Sequence, residues 1–218
     1  YNSIVRPVAS DKEVHQTTLF TAEATSANGR YIYTRPEVTI NNDNNLWLYF
    51  GTGNTQKLRE QSSQIQNRLY GIKDKDFPNF ANISSVGNVS KCTASECPVP
   101  NNKLGWYIDL ANKQKLTAKP TVHKDRVFFP IYEPSSGGGS ACTTGKAILT
   151  AYGTLCGNSL LNVEVGDGVL SEVVVQGDNI YIGIGGQAKD NIGQGFTSTD
   201  NLITGKAGGD STGGAVQT

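Results

Sequence analysis

Leu46-Trp47-Leu48-Tyr49-Phe50-Gly51-Thr52-Gly53, Arg68-Leu69-Tyr70-Gly71-Ile72-Lys73-Asp74 and Gly105-Trp106-Tyr107-Ile108-Asp109-Leu110 together decide the fold. Each is a short apolar and aromatic run closed by glycine or aspartate, the pattern of a β-strand ending in a turn. Aromatic and β-branched side chains suit a pleated, half-buried surface, and glycine supplies the backbone freedom of a sharp reversal. Three such runs in succession predict neighbouring strands of one antiparallel sheet.

Outward from these runs, one hairpin recurs. Pro36–Ile40 turns at Asn41–Asn45 and returns as Leu46–Phe50. Pro120–His123 turns at Lys124-Asp125 and returns as Arg126–Phe129. Glu172–Val175 turns at Gly177-Asp178-Asn179 and returns as Ile180–Ile184. Asp and Asn tolerate left-handed backbone and hydrogen-bond their own main chain, so each turn has a mechanism. Further strands follow at Leu69–Ile72, Trp106–Ile108 and Ala147–Tyr152. A repeated hairpin with outer strands is the unit of a β-propeller blade. A blade takes about 40–45 residues. The fold class expected is therefore all-β and propeller-like, a partial ring of about three to four blades. A β-sandwich is the alternative. The predicted organisation is an N-terminal segment at 1–30 that pairs with a partner or a missing portion, blades over 31–186, and a Gly/Ser/Thr-rich tail at 187–218. Leu19–Ala22 reads as a short strand, Lys57–Arg68 as a long loop or a frayed turn of helix, and Trp47 and Trp106 as core.

Lys+Arg and Asp+Glu both number 19 in 218 residues, so the formal charge is zero. Nothing in that balance suggests a general affinity for nucleic acid or anionic lipid, which needs a basic surplus. No apolar run approaches the roughly 20 residues that span a bilayer. The chain contains no methionine, as expected of a processed product or a piece of something longer.

Cys92, Cys97, Cys142 and Cys156 are expected in disulfides, because no Cys-x-x-Cys or Cys/His spacing supports zinc. Four cysteines allow three pairings; the local one, Cys92 with Cys97 and Cys142 with Cys156, is the simplest. Disulfides imply an oxidising compartment. The inserts at Thr55–Asn67, Asp76–Lys103 and Glu133–Lys146 are rich in Ser, Asn, Gly and Pro, and the two that carry cysteines, Asp76–Lys103 and Glu133–Lys146, are the expected contact loops.

No catalytic constellation stands out. Ser135–Lys146 fails as a phosphate loop, since Ser140 and Ala147 occupy required Gly and Ser/Thr positions. Asn41, Asp43 and Asn45 have the opening rhythm of a calcium loop but one carboxylate and no closing glutamate, so a hairpin turn is favoured. Asp74 and Asp76 have the same bland reading. His123 is expected to be a buried or partnered strand histidine. No cofactor and no metal are expected, and the chain is read as not an enzyme.

The three opening phrases, with Lys119–Val122 leading into Val127–Phe129 and the small-residue loop from Pro134 to Cys142, resemble the C-terminal β-propeller of the PilY1/PilC family of type IV pilus proteins. The resemblance covers roughly residues 34–186. It implies a non-enzymatic protein exported through the periplasm to the cell surface or pilus, acting in pilus assembly, adhesion or surface attachment. It implies as partners pilin or pilus-tip proteins, or another chain completing the propeller, and a host or surface ligand. No equivalent of the family's Asp-rich calcium loop or its von Willebrand factor A-like domain is legible in these residues. A quinone-type propeller dehydrogenase and a lectin-like sugar-binding propeller are the alternatives.

Overall fold

The computed structural model describes residues 3–9, 14–22, 30–60, 65–78, 85–87, 89–92, 103–111, 113–135 and 144–208. The chain is all-β: besides strands, the described residues hold one 3₁₀ turn, Thr55–Lys57.

An N-terminal hairpin joins β1 (Ser3–Ala9) to β2 (Val14–Thr21). Three larger sheets follow. The first runs β3 (Glu37–Ile40), β4 (Leu46–Gly51), β5 (Arg68–Asp74), β7 (Gly105–Asp109), β6 (Ser90–Lys91). The second is built on β10 (Arg126–Glu133), which pairs with β8 (Lys115–Leu116), with β9 (Thr121–His123) and with β11 (Lys146–Gly153). Beyond β11 lie β12 (Ser159–Asp167) and β15 (Gln187–Ala188). The third runs β13 (Val174–Gln176), β14 (Asn179–Gly183), β17 (Leu202–Lys206), β16 (Thr197–Thr199). The three repeated hairpins read from the sequence are β3–β4, β9–β10 and β13–β14, one at the same position of each sheet.

The sheets stack face to face, so their central strands are buried on both faces and read as continuous apolar runs. Side chains alternate across each strand. Trp47, Tyr49, Leu69 and Trp106 leave the first sheet on one side and meet Val127, Phe129, Ile131 and Ile148 of the second. Phe128, Ala147, Leu149 and Ala151 leave the second sheet on its other side and meet Ile180, Ile182 and Ile203 of the third. On the far side of the first sheet, Leu48, Phe50, Tyr70 and Ile72 are covered by Leu19 and Phe20 of β2. Phe20 packs on both Phe50 and Tyr70, with ring centroids 6.0 and 5.3 Å apart. The N-terminal segment, expected to pair with a partner or a missing portion, thus covers a blade of its own chain.

The row Tyr49–Gly71–Trp106 crosses the middle of the first sheet. A Cβ on Gly71 would come within 3.0 Å of three atoms of the Trp106 indole, and one on Gly157 of two. The indole therefore lies flat across the strands, where only glycine leaves room. Its Nε1 donates to the main-chain oxygen of Thr154 at 2.9 Å, and Tyr49 Oη donates to the same oxygen at 3.2 Å. Burial of Tyr49 raises its phenol pKa well above the ordinary range.

The expected tail boundary is corrected. Residues 187–206 belong to the sheets: β15 extends the second, and β16 and β17 complete the third. Phe196, Ile203 and Ala207 are buried there. Just before the segment read as a loop or frayed helical turn lies the 3₁₀ turn Thr55–Lys57, with Asn54 accepting from the backbone N–H of Gln56 and Lys57.

Candidate binding surface

In each sheet the second and third strands run in opposite directions, so the connections between them leave from one rim. The inserts 52–67 and 134–145 leave from that rim. The insert 75–104 joins β5 to β7 and leaves from the opposite rim, with the turns 41–45, 124–125, 153–158 and 177–178. The two expected contact loops, the cysteine-bearing inserts, therefore leave from opposite rims. Their central residues lie outside the described ones.

The turn-bearing rim carries charge. Lys124 Nζ lies 2.7 Å from Asp178 Oδ1, tying the second sheet's inner turn to the third's. The hydrogen bond from Lys124 holds the Asp178 carboxyl below the usual carboxylate range. His123, on β9, is 4.0 Å from the same oxygen. Asn41 Oδ1 accepts from the backbone N–H of Asp43 and Asn45, so this is a hairpin turn as favoured, held by its own side chain. Asp74 Oδ1 likewise accepts from the backbone N–H of Asp76 at 3.0 Å. Among the described residues no group of three His, Cys, Asp or Glu is placed to hold a metal ion.

At the outer edge of the first sheet, Asp109 is clamped by Arg68, Nε to Oδ1 at 2.7 Å, and by Lys91. The Arg68 guanidinium also lies over the Tyr107 ring, 4.2 Å from its centroid. Burial pushes the Asp109 pKa up, but hydrogen bonds from Lys91 and Arg68 outweigh it and hold the carboxyl below its ordinary value. A carboxylate depressed in the folded state adds stability above its unfolded value, about 3.9. That stability is lost as pH falls through the folded value. Asp109→Asn should therefore cost about 1 kcal/mol at pH 7, allowing for solvent screening. The difference should vanish below the depressed pKa. Urea unfolding of both proteins between pH 7 and 2 checks it; an undiminished gap at the acid end rules out this origin.

Two sheet faces stay open. On the third sheet, Val174 and Leu202 are 56 % and 44 % exposed. Val174 lies opposite Tyr181, and Tyr181 opposite Thr204. Beside them a shallow depression of about 300 Å³ is lined by Asn179, Tyr181, Gly195, Thr197, Thr204, Gly205 and Lys206. The Thr197 and Thr204 hydroxyls are 2.9 Å apart, and Lys206 Nζ donates to Asn179 Oδ1 at 2.9 Å. On the first sheet, Val38 and Ile40 are 51 % and 53 % exposed, beside the area covered by Phe20. No part of these faces was singled out in the sequence. The signal for the third-sheet face is a strand whose two sides are both apolar, Ile180 and Ile182 inward, Tyr181 outward.

Of the four expected disulfide cysteines, Cys156 is disulfide-bonded. Cys92 Sγ donates to the main-chain oxygen of Cys156 at 2.7 Å, bringing the insert of the first sheet against the 153–158 turn of the second. Cys97 and Cys142 lie outside the described residues.

These stacked four- to six-stranded sheets define a propeller-like module with no closed ring. The fold is similar to a solved structure, the C-terminal domain of PilY1 from Pseudomonas aeruginosa, with a TM-score of 0.55 and 13% sequence identity. The match covers 78% of this chain and 47% of that one, so this chain spans less than half its length. At that identity the likeness is one of fold. No family model and no curated protein matches the chain.

Proposed function

We propose that this chain is a non-enzymatic, pilus-associated propeller module that works outside the cell in type IV pilus assembly, adhesion or surface attachment. The observation that carries the reading is the stacking of three blade-like sheets in the manner of the PilY1 C-terminal domain. The phrases at 46–53, 68–74 and 105–110 agree with it. The open faces at Val38 and Ile40 and at Val174 and Leu202 suit contacts with pilin, pilus-tip proteins or a further propeller chain. The balanced charge gives no footprint for nucleic acid, and none of the described helices is long and apolar enough to cross a membrane.

The test is fractionation in the source organism. Tagged protein should appear in sheared pili, and its loss should reduce surface pili and twitching. The double variant Val174→Glu and Leu202→Glu replaces exposed side chains, so it should fold normally yet leave the pilus fraction. Absence of the wild-type protein from pili, with normal twitching after deletion, would overturn the proposal.

The third-sheet depression favours a second reading, a sugar-binding propeller. A half-buried tyrosine ring beside hydroxyl, amide and ammonium groups suits a saccharide. A glycan array with wild type and Tyr181→Ala distinguishes it: array signal lost with Tyr181 supports a lectin, and a blank array removes it.

A further inference from the structure

Resting on the sugar-binding reading of the third-sheet depression, we infer that its ligand is an acidic sugar, a uronate or sialate residue of a glycan, with its ring on Tyr181 and its carboxylate on Lys206. Two rows of side chains cross this face. Val174, Tyr181, Thr204 and Thr197 form one, and Gln176, Asn179 and Lys206 the next. Side chains alternate along a strand, so both rows point away from Ile180, Ile182 and Ile203, which are buried against the second sheet. Same-face neighbours along a strand lie about 7 Å apart. The aromatic row and the ammonium-bearing row are thus separated by about the span of one sugar ring and its carboxylate. The depression, about 300 Å³, is at the small end of ligand sites and suits a single sugar residue. At Gly195, on its border, φ is +77°, a left-handed backbone that favours glycine, so no side chain fills that wall.

Charge selects the acid. On the other sheets cations are spent on carboxylates: Lys146 and Lys189 on Glu164, Arg68 and Lys91 on Asp109. Asp178, next to Asn179 in the chain, is taken by Lys124 at 2.7 Å. Lys206 is held by a neutral group instead, Nζ donating to Asn179 Oδ1 at 2.9 Å. That bond fixes the ammonium and uses one of its three donors. A carboxylate arriving there gains a charge-assisted hydrogen bond from a cation already in place, so little ordering is left to offset. In the other row the Thr197 and Thr204 hydroxyls are 2.9 Å apart, one donating to the other. The second hydroxyl keeps its proton for a ligand oxygen, and both keep acceptor lone pairs, which suits sugar hydroxyls. Tyr181 offers the C–H face of a sugar a half-buried ring to lie on. A neutral sugar leaves Lys206 idle, and an apolar peptide leaves both the hydroxyls and the ammonium unmatched. An acidic sugar uses all three groups.

Multivalent conjugates of matched sugars test this on the whole chain: glucose against glucuronate, galactose against galacturonate, and galactosides with and without a terminal sialate. The wild type should bind the acidic member of a pair about tenfold tighter at low salt, the worth of one charge-assisted hydrogen bond, and the margin should shrink at high salt. Lys206→Met should erase the margin and leave binding of the neutral member where it was. Lys206→Arg should keep the margin, and Tyr181→Ala should weaken binding of both members. Lys206 is exposed and Tyr181 half-buried, so all three variants should fold, which their unfolding curves check. Equal binding of both members, or a margin that survives Lys206→Met, overturns the acidic assignment and leaves a neutral-sugar site standing. No binding to any of the sugars overturns the sugar-binding reading together with it.

Discussion

Replacing Trp106 with alanine should lower the unfolding free energy by about 4 kcal/mol, the upper part of the range for a buried aromatic. Trp106 is fully buried where the first two sheets meet. It touches Phe129 edge-on, with centroids 6.5 Å apart, and Tyr49, at 6.1 Å. The cavity cannot collapse easily, because the wall facing the indole is strand backbone at Gly71 and the turn at Gly157. Truncation also removes one of two donors to the Thr154 oxygen, leaving Tyr49 as its remaining side-chain donor. Trp106→Phe should keep most of the packing and lose the hydrogen bond, at about 1–2 kcal/mol. Gly71→Ala approaches the same site from the other side: its methyl must displace an indole that is pinned at Nε1, at about 2–3 kcal/mol. Denaturant unfolding of the three variants checks the ranking. A Trp106→Ala loss below about 1 kcal/mol would mean that the sheets do not share this core.

Much of this architecture is legible in the chain. Trp47-Leu48-Tyr49-Phe50 and Val127-Phe128-Phe129 are apolar on consecutive residues, as strands buried on both faces must be. Each is introduced by an Asp, Asn or Lys turn that fixes its register. The third sheet is harder to read. Thr197–Thr199 and Leu202–Lys206 bury one face only, so Ile203 and Phe196 are isolated apolar residues in a Gly/Thr background and look like a tail. The crossing of Gln187–Ala188 onto the second sheet is held by backbone bonds to Gly166 and Asp167, which leave no side-chain pattern. The faces open for binding are also hidden, since an exposed Val174 looks the same in sequence as a buried Val173.

Lys115→Met should cost about 2–4 kcal/mol, the range for removing a buried charge from its hydrogen-bond partners. In sequence Lys115 belongs to a sparse run with Lys113 and Lys119 that looks solvated. In the fold it is 4 % exposed on β8, next to Leu116, which plugs the first sheet's core. Its Nζ donates to the main-chain oxygens of Lys57, Leu58 and Glu60, the last two at 3.0 Å. The Lys57 oxygen also accepts from Glu60 N–H at 3.1 Å; a cation beside the carbonyl end of a short turn satisfies both its hydrogen bonding and its dipoles. Methionine matches the stem in volume and supplies no donor, so three carbonyls lose the ammonium and the turn at 55–60 should loosen first. Trypsin should then cut after Lys57 and Arg59 faster than in the wild type, at concentrations that leave the sheets intact. Alkali separates this from a packing defect. Burial holds the Lys115 pKa below its usual value. Between the lowered and the usual value the unfolded chain binds the extra proton, so wild-type stability rises with pH there relative to Lys115→Met. A gap between the two proteins that stays flat or narrows from pH 8 to 11 would show that the Lys115 ammonium is not held in a desolvated site; unchanged cleavage at 57–59 would show that it does not fasten this rim.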